Sequence, residues 1–248
     1  MNSIEIHEGL FLTSDYCAWY EKERTVLISD FHLGYESVLR EDGISLPTFQ
    51  KDNLLDRLAN IKNRYDPDSF IVIGDFKHDF GRAESQVFNE LLDIMDYLME
   101  DSSLVMIKGN HDNFLKNYAN LKGVPIYEEM MILDDMTLTH GHRDVSVKGH
   151  LIMGHEHPAI EIKDEVGSTL KYSCFLYHPE RKIIVLPAID PLSEGRDVIA
   201  SESFFSKNLD DLDPSDFHVY AISENGLLDF HRIKDLRKIQ PHFDSSTL

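Results

Sequence analysis

Positive charge is what this chain has least of. Its 24 lysines and arginines face 44 aspartates and glutamates, a formal net charge of −20 over 248 residues. Such a body repels polyanions at long range and lacks the overall basic footprint usual in nucleic-acid binders. Cysteine is nearly absent too, with only Cys17 and Cys174. Each sits in a strand-like run beside aromatic residues, which predicts buried reduced thiols and not a disulfide framework. That usage suits a reducing cytoplasm, the expected location. No apolar run approaches the ~20 residues needed to span a bilayer. The segment Met1 to Glu8 has neither the basic region nor the apolar stretch of a signal peptide. Repeats and low-complexity linkers are missing as well, so residues 1–248 are expected to form a single domain. A core of this size needs no disulfide or oligomer to be stable.

What is present is a series of short histidine- and aspartate-bearing motifs in a fixed order. They are Asp30-Phe31-His32, Gly74-Asp75-Phe76-Lys77-His78, Gly109-Asn110-His111-Asp112, His140-Gly141-His142 and Gly154-His155-Glu156-His157. Each follows a strand-like run: Val26 to Ser29, Phe70 to Ile73, Leu104 to Ile107, Met136 to Thr139 and Leu151 to Met153. Carboxylates, imidazoles and amides at the carboxyl ends of several strands are how an α/β fold assembles a metal site. Together they offer enough ligands for two divalent ions sharing a carboxylate, the arrangement used in phosphoester hydrolysis.

The periodicity predicts the scaffold around them. Residues 3–28 read as three short strands ending in the buried run before Asp30. Residues 48–65 carry Leu54, Leu55, Leu58, Ile61 and Tyr65 on one helical stripe, and residues 84–100 carry Val87, Phe88, Leu91, Leu92, Met95 and Leu98 on another. A short helix is expected at 112–120, followed mainly by strands at 125–133, 136–140, 150–154, 159–163, 169–177 and 182–187. Asn225-Gly226 between two apolar runs signals a hairpin. Residues 206–217 read as an acidic loop, which lacks the glycine and the terminal glutamate of a calcium loop. Strand–helix units followed by strands point to two stacked sheets with helices outside.

The ordered motifs resemble the calcineurin-like metallophosphoesterase superfamily over residues 30–157. The Lys77-His78 pair, Gly154-His155-Glu156-His157-Pro158 and the stretch from Leu186 to Gly195 look like its archaeal branch related to SbcD-type repair nucleases. That branch has bacterial relatives in the ligase-associated DNA damage response endonucleases. The resemblance implies a four-layer α-β-β-α sandwich of two stacked mixed β-sheets flanked by helices. By motif position it implies that Asp30, His32, Asp75 and His157 hold one ion, while Asp75, Asn110, His140 and His155 hold the other.

Asp75 is then the shared ligand, and a hydroxide between ions ~3.5–4 Å apart would attack phosphorus in line. His111 is the candidate general acid, with Asp112 orienting its ring. His78 would guide the substrate phosphate without binding metal. Mixed oxygen and imidazole donors suit manganese first, with iron, cobalt, zinc or nickel as alternatives. His142 is left undecided. His150 is expected to be structural, and His7, His178, His218, His231 and His242 to be ordinary surface or core residues. Lys77, Lys108, Arg143 and Lys148 adjoin the motifs and would allow a local positive funnel on the acidic body.

The leading reading is a metal-dependent phosphodiesterase acting on a nucleotide or on single-stranded or frayed nucleic acid. A phosphomonoesterase or nucleotide pyrophosphatase on a small substrate suits the acidic body better. A non-catalytic scaffold shares the fold, but the intact His111 and complete ligand set argue against it. Residues 34–47 are long enough to border the pocket.

Overall fold

Gly9, with φ near +76°, turns the chain between the first two strands, and residues 3–28 form four strands where three were expected. They are β1 (Ser3–His7), β2 (Leu10–Thr13), β3 (Ala18–Tyr20) and β4 (Thr25–Ile28). The computed structural model describes residues 1–44, 47, 49–78, 85–163 and 168–239.

Strands β1 to β4 pair antiparallel in sequence order. The sheet continues in parallel through β5 (Ser69–Ile73), β6 (Ser103–Ile107) and β7 (Ile126–Tyr127). Parallel neighbours need crossovers. These are supplied by α1 (Tyr35–Glu41) and α2 (Gln50–Tyr65), by α3 (Ser85–Met99) and by α4 (Leu115–Lys122). The expected helices are therefore present, and α1 stands within residues 34–47, where no helix was expected. Residues 45 and 46 of that segment lie outside the described residues.

The second sheet contains β8 (Met130–Leu133), β9 (Met136–Thr139), β10 (His150–Met153), β11 (Pro158–Lys163), β12 (Thr169–His178), β13 (Ile183–Val185) and β14 (Arg196–Asp197). Its remaining strands are β15 (His218–Ser223) and β16 (Gly226–Arg232), the hairpin that Asn225-Gly226 signals, and α5 (Ile233–Ile239) follows. Strand β10 runs parallel to both β9 and β13. Residues 206–217 are a loop holding two short 3-10 turns.

Period-two alternation sorts the apolar side chains into three cores. Val26, Ile28, Phe70, Val72, Leu104 and Met106 face the helices. Leu27, Ile71, Ile73 and Ile107 turn the other way and meet Met136, Leu138, Ile152, Phe175 and Ile184 of the second sheet. Leu151, Met153, Cys174, Leu176 and Val219 pack outward beneath α5 and the loop residues Leu209 and Phe217. Burying each such side chain stabilises by roughly 1.5–3 kcal/mol, which commits both sheets to this register. The result is the expected four-layer α-β-β-α sandwich. Among the described residues, the outer cover of the second sheet is one short helix plus loops. Cys17 and Cys174 are both buried and free. No described helix is long and apolar enough to cross a membrane.

Candidate metal centre

The carboxyl ends of β4, β5 and β6 in one sheet and of β9 and β10 in the other converge on a single edge. Beyond the strands the motif loops zip together. His32 N donates to Asp75 O at 2.9 Å, Leu33 N to Phe76 O at 3.1 Å and His78 N to Leu33 O at 2.9 Å. Asp30, His32, Asp75, His155 and His157 all take φ between +43° and +71°. A left-handed backbone is costly for a side-chain-bearing residue and persists where the surroundings over-determine it. Here it turns five side chains into one space.

They gather in two groups. Asp30, His32 and His157 offer ligand atoms within 4.8 Å of one another, and so do Asp75, His140 and His155. His157 Nε2 lies 3.2 Å from both Asp30 Oδ1 and His32 Nε2. His140 Nε2 is 3.0 Å from Asp30 Oδ1 and 3.5 Å from Asp75 Oδ2. Asp75 thus stands between the groups, with His32 Nε2 3.8 Å away on the other side.

These residues fit a pair of divalent cations. Asn110 Oδ1 is buried without a hydrogen-bond partner, an acceptor that otherwise bears an uncompensated desolvation cost. The amide belongs to the motif that also carries His111, whose backbone N–H donates to Asp75 Oδ1 at 2.9 Å. Burial, with Asp30 and Asp112 adding to it against the pull of His140, pushes the Asp75 carboxyl up to about 7. Burial acts on Asp30 in the same sense, but His157 and His140 outweigh it and hold that carboxyl well below its usual range. Burial first, and His140 beside it, bring His155 down to about 4, leaving a neutral imidazole. Burial also acts to lower His140 and His157, but the Asp75 and Asp30 carboxylates outweigh it and push both up. These imidazolium groups thus balance a cluster of buried carboxylates whose charge a divalent ion could balance instead.

Two glycines make this crowding sterically feasible. A Cβ on Gly109 would fall 2.0 Å from Asp75 Oδ1. One on Gly154 would fall 1.8 Å from Ser29 Oγ and 2.5 Å from Asp30 Oδ2.

His78 and His111 border the groups, since both lie within 4.8 Å of His32 by their ligand atoms. The His78 ring packs on Tyr35 at 4.3 Å between centroids and on His111 at 5.2 Å. Asp112 does not orient the His111 ring as expected. Its Oδ1 accepts from Phe76 N and Lys77 N, and its Oδ2 from Gly109 N. The buried carboxylate therefore joins the second motif to the third, while the His111 ring Nδ1 is held by the His78 carbonyl.

Three of the four cations expected to make a positive funnel are engaged by other groups. Lys77 is buried, with Nζ donating to His111 O at 2.8 Å. Lys108 and Arg143 pair with Glu128 and Glu129.

Further residues support the ligand groups, some from inside the motifs and some from outside them. Ser193 Oγ lies 3.0 Å from His157 Nδ1, and His142 Nδ1 lies 3.1 Å from His140 Nδ1, so each touches the ring nitrogen turned away from the ligand group. Asp190 is buried beside His157. It accepts from Gln50 Nε2 at 2.9 Å, and burial raises it to about 6. Glu156 points away from the centre and accepts from Phe205 N and Ser206 N, anchoring that loop to the last motif. Ser193 and Asp190 belong to the late stretch whose resemblance was visible. Gln50 carried no signal.

A cleft of about 530 Å³ opens beside the centre, walled by Tyr35, Leu39, Ile44 and Leu192 and lined also by His32, His78 and His157. A separate cleft of about 610 Å³ lies among Tyr16, Arg57, Arg64 and Lys171. Arg64 and Lys171 there are paired with Asp15 and Glu161, which leaves that cavity little excess positive charge.

With this geometry in place, residues 23–202 match the family model of the calcineurin-like phosphoesterases. The chain belongs to that family. It is a metal-dependent hydrolase of phosphoester bonds, and divalent metal is its cofactor. Among solved structures it is similar to the Pseudomonas putida nuclease MPE, with a TM-score of 0.68 and 20% identity over 92% of this chain and 98% of that one. A protein of unknown function from Aquifex aeolicus, AQ665, aligns less well, with a TM-score of 0.38 and 21% identity over 54% of this chain and 78% of that one. A search of curated protein sequences gave no match. The structural likeness extends the family's sandwich beyond residue 202 to nearly the whole chain.

Proposed function

We propose that this phosphoesterase is a dinuclear phosphodiesterase acting on single-stranded or frayed nucleic-acid ends or on a nucleotide. The observation that carries the reading is the pair of ligand groups facing each other across Asp75. Asp30, His32, Asp75 and His157 would hold one ion; Asp75, Asn110, His140 and His155 would hold the other. Bound there, the two ions supply a nucleophile at neutral pH and offset charge on the phosphoryl oxygens. Manganese is the first choice for this donor set.

The chain's own residues do the rest. His111 contacts the His78 carbonyl through Nδ1, while its Nε2 lies 4.0 Å from Asp75 Oδ2. Nε2 is therefore the atom that gives a proton to a leaving oxygen near Asp75. His78 sits over His32 and Tyr35 at the mouth of the cleft, where it positions the phosphate. The apolar wall of Tyr35, Leu39 and Leu192 suits a nucleobase, and an aromatic face stacks any base. Such a cleft takes a splayed strand and not an intact duplex. The Pseudomonas putida protein of like fold is a nuclease, which supports nucleic acid as the substrate class. Two buried free thiols agree with a reducing cytoplasm.

A monoesterase or pyrophosphatase acting on a small substrate is favoured by one further observation, the pairing of Lys108 and Arg143 with glutamates, which reduces the positive charge these two residues offer a polyanion. The deciding experiment compares a nitrophenyl diester, a nitrophenyl monoester, a nucleotide and single-stranded DNA, each with added manganese. Faster hydrolysis of the diester and release of DNA ends support the diesterase. Turnover of the monoester alone rejects it.

A further inference from the structure

Histidine and carboxylate meet a second time in this molecule, at the opposite ends of the same strands. Asp135 immediately precedes β9 and His150 opens β10, whereas His140 and His155 lie beyond the other ends of those strands. At about 3.3 Å per strand residue, roughly 15 Å separates the two places along the chain. His7, at the end of β1 in the first sheet, completes the group. His7, Asp135 and His150 offer ligand atoms within 4.8 Å of one another.

We propose that His7, Asp135 and His150 form a separate binding site for one transition-metal dication, of which zinc is the best match. His7 Nε2 stands 3.3 Å and His150 Nδ1 3.7 Å from the same Asp135 oxygen, Oδ2. Donors bound at about 2.0–2.2 Å around a tetrahedral ion lie about 3.4 Å apart, so both separations match edges of such a polyhedron. Two imidazoles and a carboxylate are an established zinc donor set, leaving a further position for water.

His150 supplies the independent observation. The residue is only 4% exposed, and its Nδ1 is buried with no hydrogen-bond partner. At 3.7 Å the Asp135 oxygen is too far to serve as one. A buried ring nitrogen without a partner is destabilising by about 1–3 kcal/mol unless something satisfies it. This one faces the Asp135 carboxylate, and a second imidazole, His7, packs against the same ring with centroids 3.9 Å apart. A cation between the three groups satisfies all of them.

The surroundings hold the three residues in place. His150 N donates to Asp135 O at 2.9 Å. The approach is so close that a Cβ on the neighbouring Gly149 would fall 1.7 Å from that carbonyl. Asp134, with φ near +50°, accepts from Tyr20 Oη at 2.5 Å and so pins the β8–β9 turn to the first sheet. The β1–β2 register shifts between Glu5 and His7, a bulge that re-aims the His7 side chain. His7 and Asp135 are partly open to solvent, which gives an ion a path in. An ion here would fasten edge strand β1 of one sheet to the β8–β9 turn of the other. The site shares no residue with the phosphoester centre and stands whatever that centre's substrate.

The test is zinc stoichiometry by equilibrium dialysis and metal analysis of the whole chain, comparing wild type with His7→Asn, Asp135→Asn and His150→Gln. Wild type should hold one equivalent more than each variant, whatever number the phosphoester centre takes. Cobalt substitution should show one set of visible bands missing from the variants, and zinc should raise the Tm of His7→Asn less than that of wild type. His7 and Asp135 are accessible enough that their variants should fold even if His150→Gln does not. Circular dichroism checks this, and manganese-dependent hydrolysis by His7→Asn should equal wild type. Equal zinc content and identical cobalt spectra in wild type, His7→Asn and Asp135→Asn would overturn the proposal.

Discussion

Asp30 Oδ1 and His140 Nε2 stand 3.0 Å apart, although one residue leaves the first sheet and the other leaves the second. The metal centre therefore lies across the seam between the two layers, and whatever it binds fastens one sheet to the other. The same seam is crossed by Ile189 N donating to Ser29 O and by Asp190 N donating to Asp30 O.

Metal removal should consequently loosen the whole sandwich. A ligand at a hundred times its dissociation constant adds about 2.7 kcal/mol, and a domain of this size shifts its Tm by about 2–4 °C per kcal/mol. Saturating manganese should thus raise the midpoint by roughly 5–10 °C over the chelated protein. Thermal scans with and without chelator measure this, and coincident curves would show that no ion bridges the sheets.

Asp75 lies between the two ligand groups, whereas Asn110 is proposed for one of them. Asp75→Asn should therefore weaken both ions and abolish hydrolysis, while Asn110→Ala should lose one equivalent and keep the other. Metal analysis after manganese reconstitution distinguishes the two. A wild-type content below one equivalent contradicts the dinuclear centre altogether.

How much of this was legible follows from where each residue sits. Asp30, His32, Asp75, Asn110, His140, His155 and His157 each follow an apolar run, because a strand end is where a short motif can present a side chain to a shared edge. Their order along the chain could be read without any contact map. Gln50 and Asp190 could not be read as partners, because they meet from 140 residues apart through packing alone. The funnel expected of Lys108 and Arg143 failed for the same reason, since Glu128 and Glu129 reach them only once β6, β7 and the 140s loop have folded together. Helix α1 was hidden because its seven residues make less than two full helical turns, too few for a periodic stripe. His7, Asp135 and His150 come from three distant segments, and singly each reads as an ordinary residue.

His111 separates chemistry from metal binding. His111→Ala should keep its metal content yet lose rate by 10²–10⁴-fold, the range typical of a missing general acid. The loss should be smallest for a nitrophenolate leaving group, which departs without a proton, and largest for an alkoxide. Paired kinetics on the two esters read the difference. An equal loss on both would assign His111 to phosphate positioning instead.

His78 and the acidic exterior together bear on substrate size. The cleft that His78 borders is walled by Tyr35, Leu39 and Leu192 and is expected to take a splayed strand more readily than an intact duplex. Only the centre is expected to attract phosphate, because Lys108 and Arg143 are paired and the chain carries −20 overall. Few phosphates would then be neutralised. At about 0.7 counterions released per phosphate of a single strand, the salt dependence of binding should be shallow and nearly independent of chain length. Salt titration of single-stranded and duplex DNA on metal-loaded His111→Ala protein measures it. Because the His78 ring packs on Tyr35 at the cleft mouth, His78→Ser should slow cleavage of single-stranded DNA more than that of a nitrophenyl diester, which lacks the neighbouring nucleotides to be guided. Tight duplex binding with a steep salt slope would show that an extended cationic track operates after all. No DNA binding at low salt, combined with an undiminished diester rate in His78→Ser, would move the substrate to a small phosphoester.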